Sequence, residues 1–193
     1  MDTPIILASS SAYRREILQR LGLDFSIIAP DVDESAALGE SARQLVERLS
    51  IAKANAVAET LNTGLVIGSD QVSEQDNVIL GKPVDHDDAV KQLLAASGKR
   101  ATLFSGIALI NAATGTVQSA VAEVEVECRT LTRAEIERYL QVDKPYNCCG
   151  SLKVEGLGIS LLKRISSDDP NAITGMPVIA LLEMLRTEGI SLP

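Results

Sequence analysis

Leu65-Val66-Ile67-Gly68-Ser69-Asp70-Gln71-Val72 is the stretch on which the reading of this chain turns. Its first residues form a short apolar run of the kind a buried strand uses. Gly68, Ser69, Asp70 and Gln71 then break that run with one small residue and three polar ones. A carboxylate just past a buried strand is held at the mouth of a cleft, which is where open α/β folds bind ligands. An ordinary turn with Asp70 capping a neighbour would read the same way, so the surrounding chain has to decide.

Upstream, Ser41 and Gln44 have the spacing of a capping box. They open a helix with Leu45, Val46, Leu49, Ala52, Ala56 and Val57 on one face, ending at Asn62-Thr63-Gly64. Lys53 lies at the margin of that face, and its ammonium either snorkels to solvent or points into a cleft. Ile5 to Ala8 reads as a first strand and Phe25 to Ala29, closed by Pro30, as a second. Between them Ser9, Ser10 and Ser11 precede a helix carried by Ile17, Leu18 and Leu21 and stopped by Gly22. A serine at a helix start satisfies one free N–H, and the remaining N–H groups favour an anion. Arg14 and Arg15 stand in the first turn, the wrong end of the helix dipole for a cation unless an anion sits there. A phosphate site fits this pattern, and so does a plain serine cap with solvated arginines. Tyr13 adds an aromatic ring to the same turn. Asp31, Asp33 and Glu34 crowd three carboxylates together, which repel unless solvated or sharing a cation. A solvated acidic loop is the commoner arrangement, and a divalent-metal role for Glu34 is the alternative.

Downstream, Gln75-Asp76-Asn77 reads as a hairpin turn with Val78 to Leu80 returning. Lys82 is set between Gly81 and Pro83, a common way to fix a cation in a loop. Asp85 caps a helix ended by Gly98, and the only histidine, His86, lies in its first turn with no neighbouring metal ligand. Zinc or triad chemistry built on histidine is therefore not expected, and His86 reads as surface. Thr102 to Ala112 and Thr116 to Arg129 read as two long strands of a hairpin. In the second, Glu123, Glu125 and Glu127 alternate with Val124, Val126 and Cys128, the period of a sheet wet on one face. Thr132 and Glu135 form another capping box. In the Gly-rich segment Cys148 to Gly158, extended chain would put Lys153 and Glu155 on one face. Ile159 to Ile165 reads as a strand, and Pro177 falls in the first turn of a last helix. Interleaved strands and helices with one antiparallel hairpin predict an α/β fold with a mixed sheet.

The 193 residues suffice for one sizeable core or two small lobes. A net charge of −8 argues against a nucleic-acid polymer as partner, so a phosphate ligand has to be met by a local Lys/Arg cluster. Cys128, Cys148 and Cys149 lack CxxC spacing, and their odd number suits a reducing cytosol. The apolar run at the amino terminus is too short for a signal or membrane helix. A cytoplasmic protein without a membrane partner is expected.

Ile6-Leu7-Ala8-Ser9-Ser10-Ser11 with Arg14, then Val32-Asp33-Glu34, Lys53, Gly68-Ser69-Asp70-Gln71, Gly81-Lys82-Pro83 and Gly150 to Gly158 occur in one order. Together they resemble the Maf family of nucleoside triphosphate pyrophosphatases, over almost the whole chain, as a single domain spanning residues 1–193. The resemblance implies an elongated mixed sheet flanked by helices and two lobes with an active-site cleft, similar to the inosine triphosphate pyrophosphatase fold. It also implies a homodimer, a nucleoside triphosphate cut between its α and β phosphates, and a divalent cation, Mg²⁺ or Mn²⁺. Gln71 together with Lys153-Val154-Glu155-Gly156 is similar to the branch acting on 7-methyl-GTP. The dTTP and UTP branch typically has Thr after the aspartate and Gln near the position of Glu155. Leu152, Leu157 and Cys149 depart from the family's more usual Phe, Phe and Ala, near the base pocket and away from the phosphate residues.

Under this resemblance Asp70 is the general base, and Glu34, with Asp70 as second ligand, is the metal site. Lys53, Lys82 and Arg14 supply positive charge to the phosphates, with Ser9 as a further donor. Tyr13, Gln71, Lys153 and Glu155 complete the substrate set. The physical chemistry agrees. A purine methylated at N7 is cationic, so a tyrosine face gains roughly 0.5–2 kcal/mol by stacking on it. A carboxylate accepts more strongly from its N–H groups. Hydrolysis of the anhydride needs charge neutralisation, an aligned water and a base. Whether Asp70 is base, ligand or both stays open at this stage. So do three neighbouring functions: a dTTP/UTP pyrophosphatase, a regulatory protein that binds the nucleotide without cutting it, and a phosphate-binding transferase.

Overall fold

A computed structural model describes residues 3–190 and 192. The chain divides into two compact units. One comprises the chain up to Asp70, Ser105–Ala122 and the chain from Asp169; the other comprises Gln71–Phe104 and Glu123–Asp168. Strands β1 (Ile5–Ala8), β2 (Phe25–Ile27), β3 (Leu65–Gln75), β4 (Val78–Leu80), β5 (Arg100–Asn111), β6 (Val117–Cys128) and β7 (Leu162–Ser167) form one sheet. Its order is β2-β1-β3-β5-β6-β7, with β4 paired to β3. β1 runs parallel to β2 and β3, whereas β3–β4 and β6–β7 are antiparallel. The sheet is mixed, as the hairpin and the helical crossovers predict.

In the first unit β1 is buried on both faces, which is why it reads as an unbroken apolar run. Ile5 and Leu7 pack with Ile17 and Leu18 of helix α1 (Ala12–Arg20) and with Leu181 and Leu185 of helix α5 (Val178–Thr187). Ile6 and Ala8 pack on the other face with Ala54 and Val57 of helix α2 (Ala42–Ala58). In the second unit, helix α3 (His86–Ala96) meets helix α4 (Arg133–Asp143) through Ala89, Val90 and Leu93 against Ile136, Tyr139 and Leu140. Both capping boxes form, at Ser41/Gln44 and at Thr132/Glu135. On β6, Val124 and Val126 are buried while Glu127 pairs with Lys163 at 2.7 Å, so the alternation has the predicted sense.

The decisive stretch departs from its reading. β3 does not break at Gly68 but continues to Gln75, so Asp70 lies within a strand and not beyond its end. Gly68 serves close approach: a Cβ there would stand 2.2 Å from Ser50 O and 2.7 Å from Ala54 N. Gly106 on β5 repeats the device, with Val46 O at 2.4 Å from the same hypothetical atom. Helix α2 therefore lies against two neighbouring strands at their glycines. The apolar face predicted for it is rotated accordingly. Small residues Ser50 and Ala54 face the strands, and Ala52 and Ala56 are only half-buried.

Other boundaries shift for local reasons. β2 stops at Ile27. Leu157–Leu161 forms a 3-10 helix, which delays β7 to Leu162. Pro177 is the cap of α5, outside its first turn. Having no side chain to cap with, it leaves that task to buried Asp169, whose Oδ2 accepts from Ile179 N at 2.7 Å. Among the described residues no helix is long and apolar enough to cross a membrane.

Candidate active site

The first unit gathers Glu34, Lys53 and Asp70. Lys53 stands on the strand-facing side of α2 and is 7% exposed, so its ammonium points inward instead of snorkelling. Its Nζ lies 2.5 Å from Asp70 Oδ1 and 2.7 Å from Glu34 Oε1. The two carboxylates thus share one cation, although the Asp70 side chain is 10% exposed and that of Glu34 60%. Asp33 is engaged otherwise. Its Oδ1 accepts from Ser35 N at 2.9 Å, and the bonds to Ser35 hold its carboxyl below the usual range.

Ser9 and Arg14 meet at the start of α1. Arg14 Nη1 donates to Ser9 Oγ at 3.3 Å, and Ser11 caps the helix by accepting from Arg14 N. The guanidinium is fixed by a residue the sequence reading missed: Arg14 Nε donates to Gly175 O at 2.9 Å. Fully buried Ser69 reaches the same carbonyl at 2.8 Å, and Ser105 Oγ donates to Ala172 O at 2.7 Å. Two serines of the sheet thereby anchor the turn that orients Arg14. The only local signal is Gly175 itself, a glycine at positive φ before the last helix. Tyr13 is half-buried beside Arg14 on α1.

The second unit carries Gln71, Lys82, Lys153 and Glu155. Gln71 is half-buried and directly follows Asp70, where the chain leaves the first unit. The Cys149 thiol lies 3.1 Å from the Gln71 carbonyl oxygen. Lys82 is exposed in the loop between β4 and α3. Lys153 and Glu155 do not share an extended face. They occupy a turn in which Gly156 N and Gly158 N donate to Lys153 O at 3.2 and 3.0 Å. A Cβ on Gly158 would stand 2.4 Å from that carbonyl oxygen, so the chain folds back there on a glycine. Lys153 is half-buried and Glu155 exposed.

His86 is better connected than a bare surface residue. Its Nε2 lies 2.8 Å from Glu137 Oε2 and its Nδ1 2.9 Å from Tyr146 Oη. The contact with His86 holds the Glu137 carboxyl below the usual range. Among the described residues no three His, Cys, Asp or Glu side chains gather as a ready metal centre. The donor set that fits a divalent cation is the pair Asp70 and Glu34. Hard carboxylate oxygens already sharing a positive charge suit Mg²⁺ or Mn²⁺, ions that commonly take one or two carboxylates plus substrate phosphates.

Residues 4–188 match the family model described as Maf-like protein. The 7-methyl-GTP pyrophosphatase of Idiomarina loihiensis is 49% identical over 193 residues, spanning 99% of this chain and 98% of that one. The 7-methyl-GTP pyrophosphatase of Alcanivorax borkumensis is likewise 49% identical over 193 residues, spanning 100% of this chain and 98% of that protein. In fold, the chain is similar to the Ham1 protein of Staphylococcus aureus, with a TM-score of 0.54 at 18% identity over 96% of this chain and 99% of the other.

Proposed function

We propose that this chain, which belongs to the Maf family, hydrolyses 7-methyl-GTP to 7-methyl-GMP and pyrophosphate. The observation that carries the reaction is the buried Lys53 ammonium held 2.5 Å from Asp70 and 2.7 Å from Glu34. An anhydride can be cut there by charge neutralisation and proton transfer alone, without a protein nucleophile. The base assignment is supported by the two full-length relatives named for 7-methyl-GTP and by Gln71 with Lys153-Val154-Glu155-Gly156.

In this reading Asp70 takes the proton of the attacking water, its carboxylate oriented by Lys53. Lys53, Lys82 and Arg14 offset the negative charge that gathers as pyrophosphate leaves. Ser9 and the positive end of the α1 dipole meet the phosphate oxygens. Tyr13 stacks on the base, Glu155 accepts from its N–H groups, and Gln71 and Lys153 complete its recognition. Asp70 and Glu34 are the residues to hold Mg²⁺ or Mn²⁺, which when bound supplies further positive charge to the phosphates. A homodimer residing in the cytoplasm completes the proposal.

A panel of nucleotides including modified bases, assayed for pyrophosphate with Mg²⁺ or Mn²⁺, tests the reading. Fastest release from 7-methyl-GTP is expected. Preference for dTTP or UTP would replace the base assignment, and tight binding without pyrophosphate release would make the chain a nucleotide sensor. Size measurement of the purified protein checks the homodimer.

A further inference from the structure

The turn that carries Lys153 and Glu155 is gripped at both ends by α4. Tyr139 and Asp143 stand four residues apart on that helix and so project from one face. Tyr139 is 4% exposed, and burial pushes its phenol ionisation upward, so it keeps its O–H. Its hydroxyl accepts from Lys153 N at 2.8 Å and donates to Ser151 O at 3.2 Å. At the other end Asp143 Oδ2 accepts from Leu157 N at 2.6 Å. A Cβ on Gly156 would stand 2.6 Å from that same oxygen, so the second grip closes only over a glycine. Between the two grips lies Lys153-Val154-Glu155-Gly156.

The entry to the turn is held just as tightly. Gly150 and Ser151 both adopt positive φ, 62° and 58°, a conformation that costs a serine and persists only where its surroundings impose it. Ser151 is fully buried, and its Oγ donates to Gln92 Oε1 of α3 at 2.6 Å. The turn held in this way is only partly buried, with Lys153 half-buried and Glu155 exposed.

We propose that Tyr139 and Asp143 are positioning residues, a two-point clamp that holds the Lys153–Gly156 turn in register and thereby sets the selectivity between a cationic 7-methylpurine nucleotide and its neutral counterpart. The inference rests on the reading in which Lys153 and Glu155 meet the base. Neither clamp residue has to touch the nucleotide. They act by fixing the backbone from which the two recognition side chains project.

Tyr139→Phe keeps the ring in the core and removes both hydroxyl bonds. Asp143→Ala removes the second grip, and Asp143→Asn retains an acceptor as the rescuing variant. Two readouts are taken together: hydrogen exchange at the Lys153 and Leu157 amides, and the ratio of kcat/KM for 7-methyl-GTP over GTP. Tyr139→Phe should speed exchange at Lys153 and lower the ratio roughly three- to tenfold, the worth of a buried hydrogen bond, with kcat on GTP within about twofold of wild type. Asp143→Ala should do the same at Leu157, and Asp143→Asn should restore both readouts. An amide as protected in the variant as in wild type overturns the clamp. A loosened amide with an unchanged nucleotide ratio overturns its role in selectivity. A wild-type enzyme that shows no preference for 7-methyl-GTP overturns the substrate reading instead, and that outcome is read before any variant is made.

Discussion

Lys53 and Asp70 stand in the interior of a helix and a strand, whereas Lys153 and Glu155 stand on a turn that belongs to neither. The first pair is set by backbone packing. Helix α2 seats on β3 where Gly68 allows it, and the ammonium then reaches the carboxylate with little freedom left. The second pair is set by side chains, Tyr139 and Asp143, through single hydrogen bonds to the turn's backbone. The difference teaches where each kind of function is kept. Under the proposed function, the Lys53–Asp70 pair sits on regular elements that hold a geometry tightly, while Lys82 stands on a loop. Under the same proposal, Lys153 and Glu155 meet the base from a turn, whose shape one substitution can alter without disturbing the scaffold, while Tyr13 on α1 and Gln71 on β3 meet it from regular elements.

The largest effect is expected at the centre. Asp70→Asn keeps the shape and removes the base, so kcat should fall ~10²–10⁴-fold while nucleotide binding persists. A variant retaining more than about a tenth of the activity would refute a catalytic role on that principle.

Lys53→Ala comes next, at about 10²-fold in kcat, because it removes a fixed positive group from the developing charge. The burial of Lys53 adds a second expectation. The substitution leaves the Asp70 carboxylate without its ammonium, so the urea midpoint should drop as well. Exposed Lys82 provides the contrast: Lys82→Ala should slow turnover and leave the midpoint in place. Equal midpoints for the two variants would show that Lys53 is no more structural than a surface lysine.

Gly68→Ala attacks the seat of the centre without touching a charge. The added methyl meets Ser50 O at 2.2 Å, so α2 has to move, and a loss of about 1–3 kcal/mol in unfolding free energy is expected. Denaturant unfolding measures it, and an unchanged midpoint would mean the helix does not rest on that glycine.

The smallest effect is Glu155→Gln, which sharpens the comparison from the other side. Stability should stay at wild type, because the residue is exposed. Only the ratio of kcat/KM for 7-methyl-GTP over GTP should fall, roughly fivefold to fiftyfold, as a charged acceptor is exchanged for a neutral one. A ratio that survives the change would remove Glu155 from base recognition.

Much of the fold was legible because its signals are local. The capping residues at Ser41 and Thr132, the apolar run of β1 and the alternation along β6 each lie within one element, and each was found where it was expected. Residue types and their order along the chain were enough to reach the Maf family. Tertiary structure alone decided which side of α2 faces the strands. Periodicity marks apolar residues, but Ser50, Lys53 and Ala54 face inward because distant glycines on β3 and β5 admit the helix backbone. It alone decided that Glu34, and not Asp33, shares the lysine, and that Arg14 leans on the carbonyl of Gly175. The clamp on Lys153 belongs to the same class. A hydrogen bond from a turn to a tyrosine on a separate helix joins groups that no short window of sequence contains, and its partner atom is backbone, which every residue supplies alike.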